Sequence, residues 1–292
     1  MIIHHKSAAD YFSKGKVYIK PFPFDVPANL ALFTSRDSEG YPSLFEKQMA
    51  FHNCNDYKEI FITFSEKEKA ICNLPPVGGL GINTRGPQWV ASCFRIRYHL
   101  DYIKSKECLD KEYVLFADAS DILFLRSPAW VLDSFINEYN KYDLIYNATS
   151  WKGGHYGYDH GTSEENLKSA KAEALSSRNQ KGKYLNAGLL IGKKDLLIDV
   201  YEKALEYVTD DLEIIRELIQ IRSAVSSKEH LAYWEGPKFP LGCLFDQPLI
   251  RHIQWDFPRL GVDFEEKIFC RCHPRDMMNL GMVKVDDGLL SI

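Results

Sequence analysis

The stretch YVLFADASDILFLRSP, residues 113–128, decides the expected fold of this chain. Its opening run, YVLFA, is apolar and aromatic and is typical of a buried β-strand. Two carboxylates, Asp118 and Asp121, follow it directly, and a second apolar run comes after them. In an open α/β sheet, ligands bind beyond the carboxyl ends of the strands. The stretch therefore predicts that Asp118 lies in a ligand-binding crevice.

The chain on either side of this stretch alternates between strand and helix patterns. Ser127 followed by Pro128 indicates a helix start, because serine can cap a helix and proline suits its first position. The predicted strands cover residues 29–36, 59–64, 113–117, 142–148 and 184–192. The predicted helices cover residues 87–105, 128–139 and 194–208. The apolar stripe of the first helix is expected to comprise Val90, Phe94, Tyr98 and Tyr102. Strands separated by helices predict an α/β domain with a central, mostly parallel sheet.

The composition is that of a soluble globular protein and excludes some partners. The 292 residues are 45% hydrophobic and 26% charged, with a net charge of −4. This charge provides no basic field for a nucleic acid, so we expect no nucleic-acid partner. No run approaches about 18 apolar residues, as a transmembrane segment would need, and residues 1–16 lack a signal-peptide pattern. We therefore expect a cytoplasmic protein, with its scattered cysteines reduced.

We expect residues 1–292 to form a single domain. The chain contains no internal repeat, no low-complexity tract and no convincing linker. Residues 150–183 are rich in glycine and then in charged residues. That composition predicts a mobile surface insertion within the domain.

The two carboxylates of the opening stretch need a positive partner, because close carboxylates repel each other. Mg²⁺ and Mn²⁺ bind carboxylate oxygens together with substrate phosphates, so Asp118 and Asp121 predict a metal-diphosphate site. The alternative is structural: one acid caps the following helix and the other forms a salt bridge with Arg126. A haloacid-dehalogenase-type phosphatase would need carboxylates two residues apart, and a nucleotide-triphosphate P-loop would need GxxxxGK[ST]. The stretch lacks the first pattern and the chain lacks the second.

Several blocks occur in an order that resembles a known family. They are SRDSEGY after the first strand, Gln88 in the helix before the acids, VLFADASDILFLRSP, LNAG at 185–188 and FDQPLIRHI at 245–253. This order is similar to the glycosyltransferase domain of collagen lysyl hydroxylases and related procollagen glycosyltransferase-like enzymes, whose metal motif has a DxxD form. The resemblance covers roughly residues 29–272. It implies a GT-A type, Rossmann-like fold that binds a nucleotide-diphospho-sugar.

The resemblance also implies roles for the matching positions. Asp118 and Asp121 match the aspartates that hold Mn²⁺, or Mg²⁺ in its place, against the donor diphosphate. Asp246 matches an acidic position near the reacting centre, where it would deprotonate an acceptor hydroxyl as the catalytic base. The positions expected to bind the nucleotide sugar are Thr34, Gln88, Ser120, Asn186, Gly188 and Gln247.

The chain departs from the family pattern at several positions. Ser120 stands where the family has an aromatic residue, and Trp89 stands where it has a basic one. The family's third metal ligand is a histidine in an HGN motif, and no HGN follows the DQ block here. His273 is the nearest candidate for that ligand, and the alternative is that it is structural.

Three aromatic or imidazole side chains are candidates for the acceptor site. Trp151 and His155 lie in the predicted insertion, and Trp234 lies beside glycine and proline further along the chain. An indole can stack on a sugar ring, although such residues also serve ordinary surface loops and cores. Glu235 is a rival to Asp246 as the general base.

Together these observations predict a metal-dependent hexosyltransferase. It would move a sugar from a nucleotide-diphosphate donor, expected to be a UDP-sugar, to a hydroxyl of a glycan, a lipid-linked sugar or a protein. Both stereochemical outcomes are open, and only inversion requires a protein base. One alternative is a sugar-phosphate nucleotidylyltransferase, although TSRDSEGY at 34–41 is not the glycine-rich basic loop that such an enzyme uses. The other is a non-catalytic sugar-nucleotide or glycan-binding module, which the missing HGN histidine favours.

Overall fold

The structure of the protein is a computed structural model in which part of the chain is described. The described residues are 2–4, 17–18, 22–36, 42–68, 94–149, 184–208, 211, 246–270, 284–286 and 289–291. The predicted insertion at 150–183 lies outside them.

The described residues alternate between strands and helices along most of the chain. The strands are β1 (Ile2–His4), β2 (Val17–Tyr18), β3 (Leu30–Arg36), β4 (Lys58–Phe61), β5 (Tyr113–Ala117), β6 (Ile122–Phe124), β7 (Leu144–Thr149), β8 (Tyr184–Lys193), β9 (Leu260–Asp263), β10 (Phe269–Cys270), β11 (Lys284–Asp286) and β12 (Leu289–Ser291). The α-helices are α1 (Leu44–Phe51), α2 (Arg95–Ile103), α3 (Pro128–Glu138), α4 (Lys194–Leu205) and α5 (Asp246–Ile253). Short 3-10 helices occupy Lys106–Cys108 and Gln254–Asp256.

A six-stranded sheet with the order β4-β3-β5-β8-β7-β9 lies at the centre. Its strands run parallel except β8, which is antiparallel to both of its neighbours, β5 and β7. The predicted α/β fold with a mostly parallel sheet is therefore confirmed. From β3 the chain moves outward to β4 and then returns to pair β5 with the other edge of β3. The strand order thus reverses between β3 and β5.

Helices cover both faces of this sheet and give three layers. Helices α2, α4 and α5 share one apolar cluster with the sheet, and α1 and α3 share the other. In β5, Val114 and Phe116 belong to the first cluster, whereas Leu115 and Ala117 belong to the second. A strand that is buried on both faces needs apolar residues at every position, which explains the unbroken run YVLFA.

Helices α1 and α3, which share the second apolar cluster, both begin with serine caps. At α3, the Ser127 hydroxyl accepts a hydrogen bond from the Trp130 backbone N–H at 3.2 Å, as the sequence predicts. Helix α1 was not predicted, yet Ser43 and Glu46 form a capping box with hydrogen bonds in both directions. The letters SLFE at 43–46 are the sequence signature of such a box.

Helix α2 corrects part of the predicted apolar stripe: Phe94, at its N-cap, is fully buried as expected, and Val90 lies outside the described residues. Its buried residues are Ile96, His99, Leu100 and Ile103. Tyr98 and Tyr102, which were predicted to lie on the buried stripe, are only partly buried beside that cluster. The Tyr98 hydroxyl donates to the Thr63 carbonyl at 2.7 Å. The buried face is therefore rotated from the predicted one, because a polar residue, His99, finds partners inside the fold.

The other predicted elements are present with shifted ends. The strand expected at 59–64 ends at Phe61, and the helix expected at 194–208 ends at Leu205. The apolar run after Asp121 forms β6, which pairs with β1 in a second sheet of order β10-β1-β6. A third small sheet has the order β11-β12-β2.

Two further expectations concern the thiols and the membrane. Cys54, Cys108 and Cys270 are buried free thiols, as expected for the cysteines that are described. Among the described helices, none combines the length and the apolar character needed to cross a lipid bilayer.

Candidate functional site

The candidate site lies at the edge of the central sheet where β3 and β5 end. Asp118 follows β5 directly, and the neighbouring strand β3 ends at Arg36. The strand order reverses between these two strands, and a crevice opens at such a point in α/β sheets. The sequence prediction that Asp118 lies beyond the carboxyl end of a strand is confirmed.

The backbone of Asp118 is fixed by the LNAG block. The Asp118 N–H donates to the Gly188 carbonyl at 2.8 Å, and the Gly188 N–H donates to the Asn186 side-chain oxygen at 2.9 Å. The Ala187 N–H approaches the Gln247 side-chain oxygen at 3.4 Å. Segments around 118, 186–188 and 247 therefore adjoin one another, although they are far apart in the sequence.

The LNAG block also lies on an irregularity of β8. In the pairing of β7 with β8, Tyr146 faces Leu190, but the next residue, Asn147, faces Asn186. Residues 187–189 are thus extra on β8 relative to β7, and Leu189 pairs instead with Ala117 of β5. Bulges of this kind redirect a strand and occur frequently beside active sites. Here the bulge keeps β8 in contact with the end of β5.

Arg95 joins two of the predicted acids. Its Nε donates to Asp246 Oδ2 at 2.6 Å, its Nη2 also contacts that oxygen, and its Nη1 donates to Asp118 Oδ1 at 2.9 Å. Its guanidinium lies over the Phe116 ring, 5.3 Å from the ring centre. Only 18% of the Arg95 side chain is exposed. A largely buried guanidinium thus connects the end of β5 to the start of α5.

Buried polar groups continue behind Arg95. One turn further along α2, His99 Nε2 lies 2.7 Å from Ser35 Oγ, and His99 Nδ1 lies 3.4 Å from the Tyr201 hydroxyl. Burial and the nearby Arg95 charge hold the pKa of His99 well below its usual range, so His99 is neutral. Burial also lowers the pKa of Arg95, but the carboxylates of Asp246 and Asp118 raise it more, so Arg95 stays charged.

A small cavity lies beside Arg95 between the sheet and the helices. Its volume is about 10 Å³, which is about the space of one water molecule. Arg95, His99, Tyr201 and Asp246 are among the residues that line it. A nucleotide sugar is far larger than this cavity, so the cavity itself cannot hold one.

The other described site residues differ in how far they are exposed. Thr34 is fully buried, and its hydroxyl donates to the Ala117 carbonyl at 2.6 Å. Ser120 is exposed in the loop after Asp118. Asp121 immediately precedes β6, and its Oδ1 atom is shielded from solvent. The expected ligand contacts of these three residues stay predictions.

Five predicted site residues lie outside the described residues. They are Gln88, Trp151, His155, Trp234 and His273. Nucleotide binding by Gln88, acceptor binding by the next three and metal binding by His273 therefore stay predictions.

Arg95 and His99 were missed by the sequence analysis. Neither belongs to a recognisable motif, and the partners of Arg95 are 23 and 151 positions away in the chain. One available signal was the second apolar series of helix α2, Ile96, Leu100 and Ile103, because Arg95 and His99 directly precede its first two members and buried charged or polar residues need partners.

The donor atoms at this edge suit a hard divalent cation by their chemistry. Asp118, Asp121 and Asp246 provide three carboxylates and Arg95 one guanidinium, which leaves a net formal charge of two negative. Within the described segments, no group of three or more histidine, cysteine or acidic side chains is close enough to hold a metal. Mg²⁺ sites commonly use one or two carboxylates and complete their shell with water and phosphate oxygens. Asp118 and Asp121 fit such a site.

Comparison with known proteins adds no family to this picture. A scan against protein-family models finds none that matches the chain, and a search of curated proteins finds no significant match. What the fold itself defines is an α/β protein with a mostly parallel sheet whose strand order reverses at Asp118.

Proposed function

We propose that this protein is a metal-dependent glycosyltransferase of GT-A type that uses a nucleotide-diphosphate sugar, expected to be a UDP-sugar. The observation that carries the proposal is the convergence of separate segments on Asp118. The LNAG block accepts a hydrogen bond from the Asp118 backbone, and the Gln247 side chain approaches the same block. Arg95 contacts both Asp118 and Asp246. These are blocks whose order in the sequence resembles a sugar-nucleotide-binding domain.

The charge at the edge agrees with a diphosphate that binds together with a metal. A bare diphosphate would be repelled by the net negative charge of these side chains, whereas a divalent cation held by Asp118 and Asp121 would offset the repulsion. Asp118 and Asp121 would hold Mn²⁺ or Mg²⁺, which when bound neutralises charge on the leaving diphosphate. The Asp118 side chain is 23% exposed, so part of it is accessible to solvent.

The protein's own residues would position the donor. Asn186 and Gln247 are partly exposed beside the bulge, and because each side-chain oxygen already accepts a hydrogen bond from a backbone N–H, their amide nitrogens would be the groups that contact hydroxyls of a sugar. The acceptor would be a hydroxyl of a glycan, a lipid-linked sugar or a protein, and a cytoplasmic location is part of the proposal. Asp246 is the base predicted for an inverting reaction, but both of its oxygens accept hydrogen bonds from Arg95 or from the Gln247 N–H.

Calorimetric titration of UDP with and without Mn²⁺ tests the proposal. We expect UDP to bind only with Mn²⁺. We expect Asp121→Ala to weaken that binding by roughly tenfold or more, because it removes one of the two proposed metal ligands. A tenfold loss corresponds to about 1.4 kcal/mol. Asp133→Ala is the matched control, because Asp133 is an exposed acid in the middle of α3. It should bind UDP like the wild type.

A hydrolysis assay separates an enzyme from a binding module. An enzyme should slowly hydrolyse its UDP-sugar when Mn²⁺ is present and the acceptor is absent, whereas a non-catalytic module should bind without turnover. A UDP affinity that changes neither on removal of Mn²⁺ nor in Asp121→Ala would contradict the proposed metal-diphosphate site.

A further inference from the structure

We propose that Asp246 is the buried counter-ion of Arg95 and that their pairing keeps Asp118 available to a metal. Asp246 and Arg95 are then positioning residues, and Asp246 is not the acceptor base. This inference rests on the proposed function, because the pairing matters to a ligand only if Asp118 binds one.

The contacts of Arg95 favour Asp246 over Asp118. Two guanidinium nitrogens, Nε and Nη2, contact Asp246 Oδ2, whereas only Nη1 reaches Asp118. Asp246 is also the more buried partner, with 12% of its side chain exposed against 23% for Asp118. Asp246 is therefore placed as the main counter-ion, and Asp118 is the more exposed of the two carboxylates.

The need for a counter-ion follows from burial. A guanidinium that is only 18% exposed has lost much of its hydration and must be paired. Without the charge of Asp246, Asp118 would be the carboxylate left to Arg95 in this cluster. Arg95 would then compete with a divalent cation for the same carboxylate, and metal binding would weaken.

The same contacts argue against a role of Asp246 as base. A general base needs a lone pair directed at the acceptor hydroxyl. In Asp246, Oδ2 accepts from Arg95, and Oδ1 accepts from the Gln247 N–H at 2.8 Å. An acceptor hydroxyl would have to compete with a charged donor for one oxygen and with a backbone donor for the other.

A double-mutant cycle tests the pairing through donor binding. The variants are Asp246→Asn, Arg95→Gln and the double variant, and the readout is UDP affinity by calorimetry in the presence of Mn²⁺. We expect Asp246→Asn to weaken UDP binding by roughly tenfold or more, and the double variant to recover to within about threefold of the wild type. Asp101→Asn, an exposed acid on the same helix α2, should bind like the wild type.

A second readout needs no ligand. In thermal unfolding, each single variant should lower Tm by roughly 5 °C or more, because it leaves one buried charge without its main partner. The double variant should lose clearly less than the sum of the two. A single variant that does not fold supports the pairing only if the double variant folds, and a double variant that also fails to fold overturns it.

The outcomes separate this inference from the proposed function. If Asp246→Asn binds UDP with Mn²⁺ as well as the wild type does, or if the double variant binds no better than Asp246→Asn, the inference is overturned. If the wild type itself binds no UDP with Mn²⁺, the proposed function fails. The counter-ion pairing then depends on the unfolding cycle alone, where additive losses in Tm would overturn it.

Discussion

The Gln48 side chain makes two hydrogen bonds with the backbone of β6, the strand that follows Asp118 and Asp121. Gln48 is fully buried on α1, and it makes these hydrogen bonds as a neighbouring strand would. Its Nε2 donates to the Ile122 carbonyl at 3.0 Å, and its Oε1 accepts from the Phe124 N–H at 2.7 Å. Both backbone groups would otherwise be buried without a partner.

Gln48→Met should therefore be strongly destabilising. Methionine keeps the approximate size of the side chain but leaves the two backbone groups without hydrogen-bond partners, and each such group costs about 1–3 kcal/mol. We expect the free energy of unfolding in urea to fall by about 2–4 kcal/mol. Lys47→Met, an exposed neighbour on the same helix, is the control and should change it by less than about 0.5 kcal/mol. Equal losses in the two variants would contradict the role assigned to Gln48.

At the level of single residues, the sequence identified acids more readily than their partners. Asp118 was predicted because its strand ends in a recognisable way, and the structure places it there. Arg95 was not predicted, since only the folded chain brings α2, β5 and α5 together. Gln48 was missed for the same reason, because its partners in β6 lie 74 and 76 positions away.

The stability of helix α3 depends on the hydrogen bonding of its first turn. The Ser127 hydroxyl accepts from the Trp130 N–H, and Pro128 occupies the first turn without needing a hydrogen-bond acceptor. Removing the hydroxyl leaves a backbone N–H of this turn without its partner.

Ser127→Ala should lower the free energy of unfolding by about 1 kcal/mol. Ser134→Ala lies in the middle of the same helix, where alanine is the better helix former, and should be neutral or slightly stabilising. Comparison of the two variants by chemical denaturation isolates the cap. A loss in Ser134→Ala as large as that in Ser127→Ala would show that the serine content of the helix, rather than its cap, matters.

At the level of elements, apolar runs predicted strands well and helical faces less well. The strands β3, β5, β7 and β8 were all expected from their sequences. The face of α2 was misassigned because aromatic spacing pointed to Tyr98 and Tyr102, whereas tertiary contacts bury His99. The direction of β8 could not be predicted, since its orientation depends on where the chain re-enters the sheet.

A cluster at the end of β3 links the stability of the whole molecule to pH. Arg36 Nε lies 3.0 Å from Glu59, and Arg36 Nη2 lies 3.3 Å from Glu46. Burial and the neighbouring carboxyl of Glu46 raise the pKa of Glu59 to about 7, from 4.5 in an unstructured chain. The folded protein therefore binds more protons than the unfolded chain between these two pH values.

Stability should accordingly fall as pH rises from about 4.5 to 7 through this group, because the unfolded state releases its proton first. Glu59→Gln should remove this dependence, so the variant gains on the order of 1 kcal/mol relative to the wild type between pH 5 and pH 8. Urea denaturation at the two pH values measures the gain. Glu107→Gln is the control, because the Glu107 side chain is 58% exposed and solvent screens its charge. A wild type and Glu59→Gln variant with parallel pH profiles would contradict the prediction.

For the molecule as a whole, the sequence predicted the layered α/β arrangement but only part of its assembly. Alternating strand and helix patterns were sufficient for the central sheet. The pairing of β1 with β6 and β10 was not predicted, because strands of two or three residues carry too little pattern to recognise. The LNAG block was recognised by its letters, whereas its bulge depends on register and is visible only in the structure.

The reversed direction of β8 has a consequence for how this chain can vary. Thr149 and Tyr184, which flank residues 150–183, face each other as partners in the ladder of β7 and β8. The two ends of the intervening segment are thus held side by side at the sheet edge that carries Asp118. The entropy cost of closing a loop grows slowly with loop length, and each doubling adds only about 0.6 kcal/mol. A change in the number of residues between Thr149 and Tyr184 is therefore expected to cost the paired strands little stability.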